Sequence, residues 1–476
     1  SHNTFSMIYC LKREISKLKE LIIMKKIIGT VNCGCFMCKN NNSFDMPNEI
    51  IESVKKNELV LFCGAGISTE SKTVLPTSFY MDILTFLNSE YILNLDTDIA
   101  FSELMSKFCS TVPNGRKQLI RKINERFDRV QSFPELYNSA TRFHKEVSKI
   151  PQIKTIVTTN WDDYFEKECL ATSIVDNKDV ALWNTFDRRV FKVHGSINNI
   201  GSIVATTNDY DKCYEKLSNE PIGDRLKTLL GSNCVVFIGF SFGDEDLNKI
   251  IDILSERLDD FANQFYLVTV DRSWENNRDS RIIPIITDGQ FFIHSLQNIL
   301  IEEGHLVEED IYDFARYASQ VASDFHTDWL NEIDNFNEKL TSFPEILLSI
   351  AYQDGVIHAY QRCYANRQKG DYLIPGYLSK IVVSYHILID QHEKNKNYLQ
   401  MYYDLGYQDG LINLEIFLET NNHLIPPLFI YEGKNFATEK ELFDFIVANR
   451  NSEMHQYLKE ISVPNDTIPH FYPWYC

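Results

Sequence analysis

Four apolar runs in this chain each end in a short cluster of residues able to handle a phosphate, a hydroxyl or a proton. "LVLFC" runs into Gly64-Ala65-Gly66-Ile67-Ser68, "IKTIV" into Thr158-Thr159-Asn160-Trp161-Asp162, "RVFKV" into His194-Gly195, and "NCVVFI" into Gly239-Phe240-Ser241. A Gly-x-Gly between a strand and a helix lets backbone amides and the helix dipole approach a pyrophosphate, and Ser68 adds a hydroxyl donor. Asn160 is an uncharged amide that can orient water or a sugar hydroxyl, and His194 is an imidazole that can accept a proton. Taken alone, "GAGIS" reads as a tight turn; the ordered set of four is what points to a site.

The elements that must position these clusters follow from the same pattern. Short apolar runs bounded by polar clusters and separated by helical periodicity predict parallel strands, with "QFYLVTVDRS" and "GQFFIHS" supplying two more. Pro47 with Ile50, Ile51 and Val54 predicts a helix over 47–56, a second helix starts near Ser78, and residues 98–149 read as an inserted helical subdomain. "DLNKIIDILSERL" predicts a further amphipathic helix. The sum is an α/β doubly wound parallel, Rossmann-like sheet over about residues 46–302, with Val60, Phe62, Ile156, Val157, Val193, Val236 and Ile238 in its core. Such sheets bind ligands just beyond the carboxyl ends of their strands, which is where all four clusters fall.

At this point the chain resembles the sirtuin fold, whose strand ends carry G-A-G-x-S, T-Q-N-x-D, H-G and G-x-S in this order. The resemblance covers residues 46–302 and implies NAD+ as substrate. By it, Gly64, Ala65, Gly66 and Ser68 hold the NAD+ diphosphate and Gly239 and Ser241 face the adenosine half. Asn160 and Asp162 meet the nicotinamide ribose and amide, His194 stands over the ribose hydroxyls, and Thr159 is a further cofactor-binding candidate; Asn160 and His194 are the candidate catalytic residues. Asp162 fits a second role, capping the next helix with Asp163.

The departures from the deacylating sirtuins carry as much weight. Thr69 to Pro76 lacks their small-residue stretch and Asp-Phe-Arg, Thr159 stands where they have Gln, and between His194 and Cys234 there is only Cys213. Two Cys-x-x-Cys pairs are needed for their structural zinc, so that ribbon cannot form here and no metal is expected. "IVTTNWDDYFEK", "FKVHGS" and "VVFIGFSFGDEDLNKII" are instead similar to the defence-associated sirtuin-like proteins of bacteria. That likeness implies an NAD+ glycohydrolase that halts an infected cell. Protein deacylation or ADP-ribosyl transfer, and a non-catalytic NAD+ sensor, stay open as alternatives.

Composition is globular, with 44% hydrophobic and 24% charged residues, and the net charge of −19 argues against a general phosphate-backbone binder while leaving room for a local basic patch. Eleven cysteines, without regular spacing between residues 63 and 476, fit reduced thiols in a cytoplasm. "LKELIIMKKIIGTV" is broken by Lys25 and Lys26, too short to span a bilayer, so no membrane is expected. Residues 1–45 are expected to be an extension, in part an expression scar or disordered. Cys33-x-Cys35-x-x-Cys38 within it lacks a fourth metal ligand.

Residues 303–476 turn to helical periodicity throughout and predict an all-α regulatory or interaction domain. "LLSIAYQDGVI" (347–357) is echoed by "YYDLGYQDGLI" (402–412), a duplication or a chance similarity of two core helices. Tyr402, Tyr403, Tyr407 and the closing "FYPWYC" suit core or a protein interface. The expected partners are NAD+, further copies of the chain, and an accessory defence protein or phage-derived trigger met by the helical domain. Asp244 and Asp246 read as helix caps, Asp271 as a candidate adenosine-ribose ligand, and His144 as a packed or capping histidine.

Overall fold

The computed structural model describes residues 24–29, 39–71, 73–240, 248–249, 251–252, 265–276, 281–332, 336–461 and 470–471. Ser241, Asp244, Asp246, the Cys33 cluster, most of "DLNKIIDILSERL" and residues 472–476 of the closing aromatic stretch therefore lie outside the described residues. The chain divides into two units, Ser1–Glu303 and Gly304–Cys476, and each is treated by itself.

In the first unit, a short antiparallel ladder of β1 (Lys25–Ile27) and β2 (Phe44–Met46) precedes a helix at Asn48–Lys55. The main sheet follows: β3 (Leu59–Cys63), β4 (Thr155–Thr158), β5 (Thr172–Ile174), β6 (Arg189–Lys192), β7 (Cys234–Ile238), β8 (Phe265–Thr269) and β9 (Ile282–Ile286). Its seven strands run in the order β5-β6-β4-β3-β7-β8-β9, and every neighbouring pair is parallel. From β3 the chain first builds outward through β4, then returns to add β7 on β3's other side, so the strand order reverses at β3. Ligand crevices of doubly wound sheets open at such a reversal.

Register makes the strand ends level. Cys63 pairs with Thr158 on one side and Ile238 on the other, and Thr158 pairs with Lys192. Gly64, Thr159, Val193 and Gly239 are thus the first residues past a common line. All seven expected core positions are buried, none more than 8% exposed.

The insertion between β3 and β4 holds helices at Phe79–Glu90, Phe101–Thr111, Gly115–Ser132 and Pro134–Ser148. Ser78 caps the first by accepting from the Met81 amide at 3.2 Å, and Pro134 opens the last, where its missing N–H loses nothing. Leu119, Ile123, Phe127 and Val130 form one helical stripe that packs with Leu104, Met105 and Phe108 into a core of their own.

One strand expectation fails. "GQFFIHS" starts the Gly289–Glu302 helix, because the Asp288 carboxylate accepts from the Gln290 and Phe291 amides at 2.9 and 3.2 Å and commits the chain to a helical turn. Phe292, Leu296, Ile299 and Leu300 then fall on its buried side. The final strand is instead "IIPII" of β9, at the sheet edge, where Pro284 interrupts no inner ladder.

The second unit is helical, with Asp310–Glu332, Ile346–Ala365, Tyr377–Lys394 and Tyr398–Thr420 as its longest helices. It also holds an antiparallel hairpin, β10 (Phe429–Tyr431) and β11 (Lys434–Phe436), which the helical periodicity did not foreshadow. Glu432 and Gly433 turn it with φ of 47° and 68°, both left-handed as a tight hairpin turn requires. The two Tyr-Gln-Asp-Gly segments pack against each other: a Cβ on Gly355 would lie 2.1 Å from the Tyr403 carbonyl, and Tyr352 donates to Asp409 at 2.7 Å. No helix among the described residues is long and apolar enough to cross a membrane.

Candidate functional site

The turn after β3 is fastened to the turn after β7. The Gly64 amide donates to the Ile238 carbonyl at 2.8 Å and the Gly66 amide to the Gly239 carbonyl at 3.0 Å. A Cβ on Gly64 would meet Gly239 O at 2.8 Å, and one on Gly66 would meet it at 2.9 Å. These two glycines therefore serve first to bring two loops together. Gly64 is buried beneath the turn, whereas Ala65 and Gly66 are exposed at the lip of a cavity.

Asn160, the second residue past β4, reaches across to the same turn. Its Nδ2 donates to the Gly64 carbonyl at 3.1 Å and to Ser68 Oγ at 3.2 Å, while its own amide donates to Thr158 Oγ1 at 3.0 Å. Thr159 is held by its amide on the Cys63 carbonyl at 3.2 Å. With Nδ2 committed, Asn160 Oδ1 is buried and has no hydrogen-bond partner among the described residues. Buried polar atoms are nearly always paired, so an unpaired one beside a cavity is open to a donor from a ligand or a water.

Asp162 is 2% exposed and accepts from the amide of Tyr164, the first residue of the next helix, at 3.3 Å, whereas the side chain of Asp163, the N-cap residue, makes no capping bond. Burial pushes its carboxyl up from the usual carboxylate range, against the pull of Lys192 and Ser68. Lys192, the last residue of β6, is itself buried; its ammonium donates to the Asp162 carbonyl and lies 3.4 Å from Glu166. A cation thus underpins the Asn160–Asp162 turn from below. His194 follows two residues later, 3% exposed, with its ring edge-on to Tyr210 at 5.0 Å. Gly195 has φ of 81°, and a Cβ there would lie 2.2 Å from the Ser202 carbonyl, so only glycine makes this turn.

These pieces face one cavity of about 840 Å³, of a size typical for a ligand site. Ala65, Gly66, Ser68, Thr159, Asn160, Asp162, His194 and Gly239 all line it. Asp271 does not: its carboxylate caps the following turn through the Ser273 amide at 2.9 Å, and it is absent from the cavity wall. Ser241 is outside the described residues. Cys213, the lone cysteine of the stretch without the zinc ribbon, is buried and donates to the Val193 carbonyl at 3.4 Å.

Four contributing residues are not foreshadowed by the sequence pattern. Phe79 and Phe101 of the inserted helices meet the Trp161 ring at 6.3 and 6.1 Å and make an aromatic wall. Arg126 bridges Glu70 at 2.7 Å, Asp82 at 2.8 Å and the Thr77 carbonyl at 2.7 Å, tying the segment after Ser68 to the insertion. Lys192 stood in plain view in "FKVHGS", but an isolated lysine at a strand end gives no sign of being buried.

Comparison with known proteins adds to this geometry. The family model described as SIR2-like domain matches residues 154–283, which include the turns after β4, β6 and β7. Defense-associated sirtuin 2 of Bacillus subtilis is 21% identical over 336 residues, 65% of this chain and 28% of that protein. NAD(+) hydrolase ThsA of Enterococcus faecium is 25% identical over 293 residues, 60% of this chain and 54% of that protein. The protein of the same name from Cytobacillus dafuensis is 26% identical over 211 residues, 43% of this chain and 39% of that one. The chain therefore spans between about a quarter and about half of the length of these curated relatives.

Proposed function

Because the chain carries a SIR2-like domain and is homologous, at modest identity, to a defence-associated sirtuin and to NAD(+) hydrolases, we propose that it is an NAD+ glycohydrolase acting in bacterial anti-phage defence. It would cleave NAD+ to nicotinamide and ADP-ribose and so halt the infected cell. The observation that carries the reading is the buried, unpartnered Asn160 Oδ1 in the same cavity as His194.

The chemistry needs little from the protein beyond placement. The bond from the ribose anomeric carbon to the nicotinamide nitrogen breaks, its electron pair leaves with nicotinamide as a neutral base, and water adds to the carbon. Asn160 Oδ1 accepts a hydrogen bond from that water or from a ribose hydroxyl and orients it without placing a competing charge near the cationic ribose. His194 takes the proton that water sheds. Ala65, Gly66 and Ser68 hold the diphosphate, Thr159 and Asp162 the nicotinamide side, and Gly239, with Ser241, the adenosine side; Gly64 supports Ala65 and Gly66 from behind.

In this reading residues 46–302 form the hydrolysing domain and 303–476 a regulatory one, with activation by a partner or by self-assembly. Support for a contact role comes from the Tyr377–Lys394 helix, which exposes Val383 at 59% and Ile387 at 62%.

The test incubates the purified chain with NAD+ and follows nicotinamide by chromatography, with and without phage lysate. Release that Asn160→Ala abolishes is expected. Release that depends on an added acyl-lysine peptide would replace hydrolysis with deacylation, and saturable NAD+ binding without release in any condition would make the chain a sensor.

A further inference from the structure

The second unit buries a group of polar side chains that the NAD+ reading does not use. His326 lies on the Asp310–Glu332 helix, Asp354 on the Ile346–Ala365 helix, and His470 in the short described segment of residues 470–471. One ligand atom from each lies within 4.8 Å of the others. His326 and Asp354 are 7% and 5% exposed.

The hydrogen bonds around His326 fix its tautomer. Gln353 Nε2 donates to the Leu428 carbonyl at 3.0 Å, which identifies the other end of that amide as oxygen. Gln353 Oε1 stands 2.7 Å from His326 Nδ1, so Nδ1 carries the proton and donates. A neutral His326 consequently turns the lone pair of Nε2 toward Asp354 Oδ1, 3.8 Å away. That nitrogen is buried and has no hydrogen-bond partner among the described residues. His470 Nδ1 approaches the same Asp354 oxygen at 3.3 Å, and the Phe471 amide donates to the other carboxylate oxygen at 2.9 Å. His358, on the helix that carries Asp354, is the further titratable group facing this cluster.

A lone pair aimed at a carboxylate calls for a cation between them. We propose that His326 Nε2, Asp354 Oδ1 and His470 Nδ1 hold a divalent transition-metal ion, zinc by preference. Two imidazoles and a carboxylate are a zinc donor set, and bonds of about 2.0–2.2 Å at tetrahedral angles set donors roughly 3.3–3.5 Å apart. The separations of 3.3 and 3.8 Å are close to this. Gln353 is the outer partner that orients the ligating ring, as zinc-bound histidines require. The ion would tie residue 470 to two helices of the unit. It also gives the repeated motif an asymmetry: Asp354 of the first Tyr-Gln-Asp-Gly is a ligand, whereas Asp409 of the second accepts from Tyr352.

The test uses the full chain carrying Cys33→Ser, Cys35→Ser and Cys38→Ser, so that thiolates in that cluster cannot supply the signal. The protein is stripped with a chelator, titrated with zinc chloride, desalted and assayed for metal; cobalt chloride serves as the spectroscopic probe. One retained zinc per chain is expected, with cobalt giving tetrahedral visible bands and no thiolate charge-transfer band. His470→Ala, at the half-exposed member, and His326→Ala should each weaken zinc binding by more than the roughly 10–100-fold that loss of an outer partner costs. Circular dichroism verifies that the variants fold, and His470→Ala suffices if His326→Ala does not. No retained zinc, a thiolate spectrum, or binding unchanged in a folded His470→Ala chain would overturn the proposal.

Discussion

The amide of Gly66 donates to the carbonyl of Gly239 at 3.0 Å, so the turns that end β3 and β7 behave as one body. Gly239 has φ of 84°, and a Cβ there would lie 2.8 Å from Ile67 Cγ2 and 3.0 Å from the Gly64 carbonyl. Gly239→Ala should therefore cost at least the roughly 1–2 kcal/mol of a left-handed non-glycine residue, with the steric contact added. Because the Gly64 carbonyl also receives Asn160 Nδ2, nicotinamide release should fall along with the urea midpoint. An unchanged midpoint and rate would mean that the two turns are not coupled.

Lys192, buried, and Glu166, half-buried, form an ion pair under the Asn160–Asp162 turn. Removing one partner strands the other, and Lys192→Met should destabilise the chain by about 3–5 kcal/mol, with Glu166→Gln in the same chain recovering part of it. Glu166 adds a pH signature. Burial raises its pKa above the ordinary value despite the pull of Lys192, so the folded chain binds the proton better than the unfolded one. Its contribution is fully present below the unfolded pKa and is lost as pH rises through the raised folded value. Denaturation midpoints across that window should decline less steeply in Glu166→Gln.

His144 predicts a pH dependence of the opposite sign. It is fully buried, 4.4 Å from the Phe165 ring, and burial, followed by the nearby Lys192 charge, pushes its pKa from 6.5 down to about 3. The unfolded chain takes up a proton below 6.5 that the folded chain refuses, so this stability is present above 6.5 and is lost as pH falls toward 3. The full loss is roughly 5 kcal/mol at 1.36 kcal/mol per pKa unit. His144→Leu should flatten the acid limb of the urea midpoint over that range; an acid limb as steep as the parent's would refute the assignment.

The sheet was legible because each strand is a short apolar run closed by a polar cluster, and β3, β4, β6 and β7 keep that form. The "GQFFIHS" error has the same root: a short apolar run serves a buried helix as well as a strand, and here the Asp288 cap decides. Asn160 and His194 were legible as strand-end residues for the same reason as the strands, and both line the cavity. Arg126 was not. It arrives from a helix of ordinary amphipathic pattern, and its partners Glu70 and Asp82 lie 56 and 44 residues away in sequence. Trp161 was quoted in its cluster, yet only the folded insertion reveals the aromatic wall it completes.

Asn160 offers the sharpest separation of position from chemistry. Its Nδ2 is a donor to the Gly64 carbonyl and Ser68 Oγ, and its Oδ1, buried and unpaired among the described residues, is the atom the proposed reaction uses. Asn160→Asp keeps the shape and the substrate-facing oxygen but sets a second oxygen against the Gly64 carbonyl, where no hydrogen is available to donate. Asn160→Ala removes both functions. If Oδ1 alone mattered, the Asp variant would keep most activity; if the Nδ2 contacts fix the turn, it should fall with the Ala variant, each by about 100-fold or more in kcat, the scale seen when one positioned transition-state group is removed. The structure favours the second outcome, since both Nδ2 contacts are buried and one of them reaches the turn that Gly239 locks. Single-turnover nicotinamide release for the two variants, with NAD+ affinity measured separately, distinguishes loss of placement from loss of binding.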